Sequence, residues 1–199
     1  MIALIDYGAG NLTSVKKALT ALGVDFHVPM APGECDGAAG LIVPGVGHFS
    51  ATRALEGTWR ETIGRLVGQG TPLLGICVGM QWLFAGSEEA PEVPGLGVLE
   101  GRCRLLRGDA AQRLKVPHVG WNALDSRDSR LLAGIHPGAY VYFTHSYAAP
   151  VTSDCVASTT HAEPFAAAVE RGNVFGVQFH PEKSGEAGLQ ILRNFLNLC

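Results

Sequence analysis

The sequence has no Cys-x-x-Cys pair, no apolar run of the about 18 residues a membrane helix needs, and only 17% charged residues. Its five cysteines, Cys35, Cys77, Cys103, Cys155 and Cys199, are odd in number and widely spaced, which argues against a disulfide framework and against a zinc site. No metal and no cofactor is expected. Fifteen Lys and Arg against eighteen Asp and Glu leave a net charge of -3, too weak and of the wrong sign for a phosphate-backbone binder. Nucleic acid is excluded as a partner on that ground. MIALIDYGAG at the start has no basic leader and meets Asp6 too early for a signal peptide, so a cytoplasmic, membrane-free protein is expected. Internal repeats and low-complexity stretches are also missing.

What remains is a globular composition, 47% hydrophobic over 199 residues, enough to bury one core. A single domain over 1–199 is expected. The first half alternates strand-like and helix-like segments. Strands are predicted over 2–6, 24–28, 40–45 and 72–77, and helices over 11–23 and 59–70. Such alternation implies right-handed crossovers over a mostly parallel sheet. After about residue 90 the segments become short and β-rich (97–106, 115–124, 139–149, 155–161, 165–170 and 174–179), as in an antiparallel arrangement. A final helix is predicted over 185–198 from its apolar face. The expected fold is α/β: a mostly parallel central sheet flanked by helices, with a smaller antiparallel sheet in the C-terminal half.

Within this frame GICVGM (75–80) sets Cys77 between two glycines directly after an apolar strand and before a helical stretch. Gly75 and Gly79 allow a sharp strand-to-helix turn that lifts Cys77 out of the sheet. The following helix start would favour a thiolate, and the Val78 N–H would point to where an oxyanion forms. A lone buried cysteine is also a common small core residue, so the motif needs a base beside it. Of seven histidines, His27 reads as a packed or edge residue and His136 and His161 as surface residues. His180 ends an apolar strand at the start of HPEKS, where active-site groups gather in such sheets. Pro181 favours an extended His180, and in an extended segment Glu182 would share its side and orient the imidazole. Cys77, His180 and Glu182 then form a nucleophile, base and orienter.

GICVGMQ with HPEKS 103 positions on (180 minus 77) resembles the class I, or triad, glutamine amidotransferases. The segments DYGAGNLTS (6–14), PGVGHF (44–49), PHVGWN (117–122) and YFTHSY (142–147) are similar to the glutaminase subunits of imidazole glycerol phosphate synthases. The resemblance spans nearly the whole chain. It implies that Cys77 attacks the side-chain amide of glutamine, His180 moves the proton and Glu182 holds His180. It implies a glutamine pocket at Gly47, Gln81, His145, Ser146 and Tyr147, with oxyanion donors from Val78 and from Val46 in PGVG. Gly45 and Gly47 would let the Gly45–Val46 peptide rotate. In the family this loop rests in an inactive orientation until the partner binds its own substrate. The implied partner is a (βα)8-barrel cyclase subunit, in a heterodimer, which uses the ammonia on PRFAR to make imidazole glycerol phosphate and AICAR in histidine biosynthesis. Asn11, Trp121, Tyr142 and Lys183 are the implied partner contacts. For Trp121 a core position is an equal alternative, and Lys183 reads equally as a solvated charge.

Three alternatives stay open. The chain could serve another synthase, of the pyridoxal phosphate or anthranilate type, although those carry a GGES-like or SPGP-like loop where this chain has PGVG. It could be a cysteine hydrolase of γ-glutamyl conjugates, or a catalytically silent scaffold.

Overall fold

The computed structural model describes residues 1–111 and 113–199. In the first half the elements are β1 (Ile2–Leu4), α1 (Leu12–Ala21), β2 (Phe26–His27), β3 (Gly40–Gly45), α2 (Thr58–Gly68), β4 (Leu73–Cys77) and α3 (Val78–Leu83). The second half adds β5 (Arg104–Leu105), β6 (His118–Ala123), β7 (Asp125–Ser126), β8 (Tyr140–His145), β9 (Tyr147–Ala148), β10 (Cys155–His161), β11 (Glu163–Arg171), β12 (Val174–Val177) and α4 (Gly185–Leu196). Eight strands form the main sheet in the order β2-β1-β3-β4-β12-β11-β10-β7. The pairings from β2 through β12 are parallel, and those of β11, β10 and β7 are antiparallel. The fold class expected from the alternation of elements is the one found.

The central strands follow from composition. β3 (GLIVPG) and β4 (LLGIC) are buried at every position, as continuous apolar runs covered on both faces must be. The helices are amphipathic: α1 buries Val15, Ala18 and Leu19, and α4 buries Ile191, Leu192 and Phe195. Phe195 meets Phe175 of β12 edge-on at 5.9 Å. Among the described residues no helix is long and apolar enough to cross a membrane.

Local outcomes differ from the reading in two places. The strand predicted over 97–106 is reduced to β5, because Gly97 and Gly101 adopt φ of 75° and 99°, which interrupt an extended run. That stretch is instead held by turn contacts such as Cys103 N–H to Gly86 O at 2.9 Å. The antiparallel half is also divided. Four of its strands, β7, β10, β11 and β12, lie in the main sheet, while β6–β8 and β5–β9 form separate two-stranded ribbons. The break between β8 and β9 falls at Ser146, so the YFTHSY stretch turns instead of running on.

One buried polar clamp ties α4 to the loop before β8. Asn194, 8% exposed, donates to Leu131 O at 2.9 Å and to Ala133 O at 2.8 Å. Asn194→Leu would leave both carbonyls without their donor, so a loss of about 2 to 4 kcal/mol is expected in urea unfolding.

Candidate active site

The site lies at the C-terminal ends of β3 and β4. Their parallel register pairs Gly45 with Cys77, so the PGVG loop begins beside the cysteine. Cys77 occupies φ 54°, ψ -109°, a conformation few non-glycine residues adopt, between fully buried β4 and the first turn of α3. Both flanking glycines are required by close approach. A Cβ on Gly75 would stand 2.6 Å from Gly79 O, and one on Gly79 would run into Val43 O. The elbow read from the sequence is therefore built, although α3 is only six residues long.

His180 follows β12 by three residues and its N–H donates to Tyr142 O at 2.9 Å. Its backbone is extended, as Pro181 requires. Glu182 reaches the imidazole by a different route from the one expected. Pro181–Lys183 is a 3-10 turn, not an extended segment, and the turn brings Glu182 Oε1 within 2.8 Å of His180 Nδ1. Both side chains are 1% exposed. Ser184 locks the turn, donating from Oγ to His180 O at 2.6 Å while accepting from Tyr142 N at 2.9 Å. Nε2 of His180 has no hydrogen bond of ordinary geometry. Burial opposes a charge on this ring, yet the Cys77 sulfur and the Glu182 carboxylate outweigh it and push the imidazole up to about 9.

The other thiols are separated from this chemistry by their surroundings. Burial pushes Cys35 and Cys199 up to about 11 and raises Cys103 and Cys155 as well.

A cavity of about 220 Å³ opens onto Cys77, lined by Gly47, Val78, Gln81, His145, Ser146 and Tyr147 among others. All the residues assigned to the glutamine pocket thus line one space. Gln81 Nε2 donates to Tyr147 O at 2.8 Å, while its Oε1 is buried without a partner. The same cavity holds a carboxylate missed in the sequence, Glu89, which accepts from the Phe49 N–H at 2.8 Å. Nothing in the spacing of SEEAPE distinguishes Glu89 from its acidic neighbours. Only the fold turns it toward Cys77.

The two oxyanion candidates differ. Val78 N–H opens α3 next to Cys77, whereas Val46 N–H donates to Ala9 O at 2.9 Å. The Val46 N–H is thus occupied by the loop after β1. Gly47 takes φ 94°, but Gly45 is a glycine for space: a Cβ there would run into the Tyr7 hydroxyl and stand 2.9 Å from Val78 Cβ.

The interface candidates lie outside the cavity. Trp121 is 54% exposed and meets the edge of the Tyr142 ring at 6.0 Å, so the core alternative for it is overturned. With Val119 and Tyr140 these rings make an apolar outer face on the β6–β8 ribbon. Lys183 is exposed and Asn11 donates to Ser14 Oγ at 2.8 Å.

His161 corrects the sequence reading. It is 8% exposed, not a surface residue, because the β6–β8 ribbon covers the end of β10 and stacks His118 on it at 4.2 Å. His118 Nδ1 in turn lies 3.2 Å from His145 Nε2. His27 is an edge residue as read, bonded to Glu34 O, and His136 is exposed.

A model of the family Glutamine amidotransferase class-I matches residues 3–199. The chain belongs to the class-I glutamine amidotransferases. Relatives of this amidotransferase include the imidazole glycerol phosphate synthase subunit HisH of Deinococcus radiodurans, 48% identical over 98% of this chain and 92% of that protein. The HisH subunit of Natronomonas pharaonis is 46% identical over the whole chain and 94% of its own length. The fold is shared with a crystal structure titled glutamine amidotransferase, at a TM-score of 0.77 and 22% identity, covering 100% of this chain and 98% of that one.

Burial holds His118 down at about 4 and His145 down at about 3, with neighbouring imidazoles adding to the effect. Groups neutral in the fold but protonated when unfolded stabilise the chain above pH 6.5, and that stability is lost as pH falls toward these values. Each can contribute up to about 1.4 kcal/mol per pH unit in that window. His118→Phe, which keeps a ring in the stack, is expected to flatten the fall in stability between pH 6.5 and 5, read by urea unfolding at each pH.

Proposed function

We propose that this chain is the glutaminase subunit of an imidazole glycerol phosphate synthase, hydrolysing glutamine and passing ammonia to a cyclase subunit. What supports the reading is the position of Cys77, on a strained elbow beside a buried His180–Glu182 pair, in a chain whose curated relatives at 43–48% identity are named HisH. Glutaminases of other synthases and γ-glutamyl hydrolases are not favoured by these relatives.

In the proposed reaction the Cys77 thiolate attacks the side-chain carbonyl carbon of glutamine. The negative charge moves to the oxygen, which the Val78 N–H receives. His180, held by Glu182, gives its Nε2 proton to the departing nitrogen, and ammonia leaves a glutamyl thioester on Cys77. Neutral His180 then takes a proton from water, which attacks the thioester and releases glutamate. Glu89 and the unpartnered Gln81 Oε1 are suited to the α-ammonium group of the substrate. Glu89→Gln is expected to raise KM for glutamine about tenfold or more with a smaller change in kcat, read by glutamate release under saturating partner.

The Val46–Ala9 contact supports a conditional activity. With one donor occupied, the oxyanion would lose stabilisation of about 2.7 to 4 kcal/mol, or roughly two to three orders of magnitude in rate. Rotation of the Gly45–Val46 peptide would release that donor. The partner is proposed to be a (βα)8-barrel cyclase in a heterodimer, docked on the Trp121–Tyr142 face with Asn11 and Lys183 at its margin. Tyr142 links that face to the chemistry, because its carbonyl accepts from His180 N–H. Glutamine turnover is expected to be near background for the isolated chain and to rise at least a hundredfold with cyclase and PRFAR, by coupled glutamate assay. Equal rates in both conditions would remove the case for a partner-controlled loop.

A further inference from the structure

Beside the nucleophile lies a buried polar side chain with no part in the reaction above. Gln178, just beyond β12, is 0% exposed, and its backbone is fixed by a 2.8 Å bond from its N–H to Ala167 O. The orientation of its amide follows from a chain of forced choices. Tyr147 O can only accept, so the end of Gln81 that meets it at 2.8 Å is Nε2. The second hydrogen on that nitrogen needs an acceptor, which Gln178 Oε1 provides at 3.1 Å. The donor end of Gln178 is therefore the one that faces Cys77, with Nε2 at 3.6 Å from Sγ. His180 and Tyr7 couple to this sulfur, and Glu89 and His145 line the same cavity.

We propose that Gln178 is a catalytic hydrogen-bond donor to the Cys77 sulfur, set in that orientation by Gln81 and, through Gln81, by the Tyr147 carbonyl. A hydrogen bond to a charged acceptor is stronger than one to a neutral acceptor. The contact therefore favours the thiolate before attack, weakens while sulfur is bound to the glutamyl carbon, and strengthens again as the thioester C–S bond breaks. Gln178 transfers no proton itself. Gln81 then serves two ends, substrate at its free Oε1 and nucleophile through Gln178, so filling the pocket tightens the alignment of the sulfur. The inference rests on Cys77 being the nucleophile.

The test is the pH profile of Cys77 alkylation by iodoacetamide in the full chain, followed peptide by peptide by mass spectrometry. Gln178→Met removes the donor and keeps the bulk. Gln178→Glu keeps the shape and the acceptor for Gln81 while turning the donor into an acceptor, so it reads donation apart from packing. The alkylation midpoint is expected to rise by about one pH unit in Gln178→Met, with the rate at pH 7 falling about tenfold, and to rise further in Gln178→Glu. With cyclase and PRFAR present, kcat should fall more than KM for glutamine rises. A packing role alone would lower the melting temperature and leave the midpoint in place. Wild-type midpoints in the folded variants overturn the proposal. A wild-type chain in which Cys77 stays unlabelled while another cysteine reacts overturns the nucleophile assignment itself, and the proposal with it.

Discussion

The parallel pairing of β3 with β4 is the constraint on which the rest of the site depends. Its register sets Gly45 against Cys77, and it holds only because Gly79 lets the start of α3 come up against the Val43 carbonyl. Any side chain at Gly79 would push α3 away from β3, and the cysteine, the loop and the floor of the cavity would separate. The strained backbone of Cys77 is tolerated because strands and glycines on both sides over-determine it. Precision at the sulfur is thus a product of sheet packing more than of contacts made by the cysteine.

A second layer of order comes from the ribbon of β6 and β8. Tyr142 N and O engage Ser184 and His180, so the ribbon, the 3-10 turn and His180 form one hydrogen-bonded unit. His145 and His118 extend that unit inward to His161. A displacement of the ribbon cannot leave His180 where it is. The exposed aromatic face and the buried imidazole are two sides of the same short strand pair.

Much of this was legible in the sequence because a few residue types have few uses. A cysteine between glycines after an apolar strand, and a histidine and an acid at the end of another, are patterns whose geometry is largely local. The alternation of apolar runs likewise carried the sheet. What escaped the reading was set by contacts between distant segments. Glu89, Gln178 and His161 look ordinary in sequence, and each acquires its meaning from a partner 40 or more residues away: Phe49, Cys77 and Lys115. The approach of Glu182 was foreseen but not its path, since a proline that favours an extended residue before it can also start a 3-10 turn after it. Gly45 carries a second requirement the sequence did not show, since crowding by Tyr7 and Val78 excludes a side chain there.

The clasp between Val46 and Ala9 is made of main-chain atoms at both ends. A side-chain exchange at position 9 leaves its carbonyl in place, and at position 46 only proline removes the N–H, deleting the proposed oxyanion donor along with the clasp. Substitution at these two positions therefore either keeps the lock or destroys what the lock restrains. If the clasp controls activity as proposed, constitutive variants would have to arise elsewhere, in the segments that carry the two loops, and a lineage would be shielded from unregulated release of ammonia by a single exchange at the clasp itself.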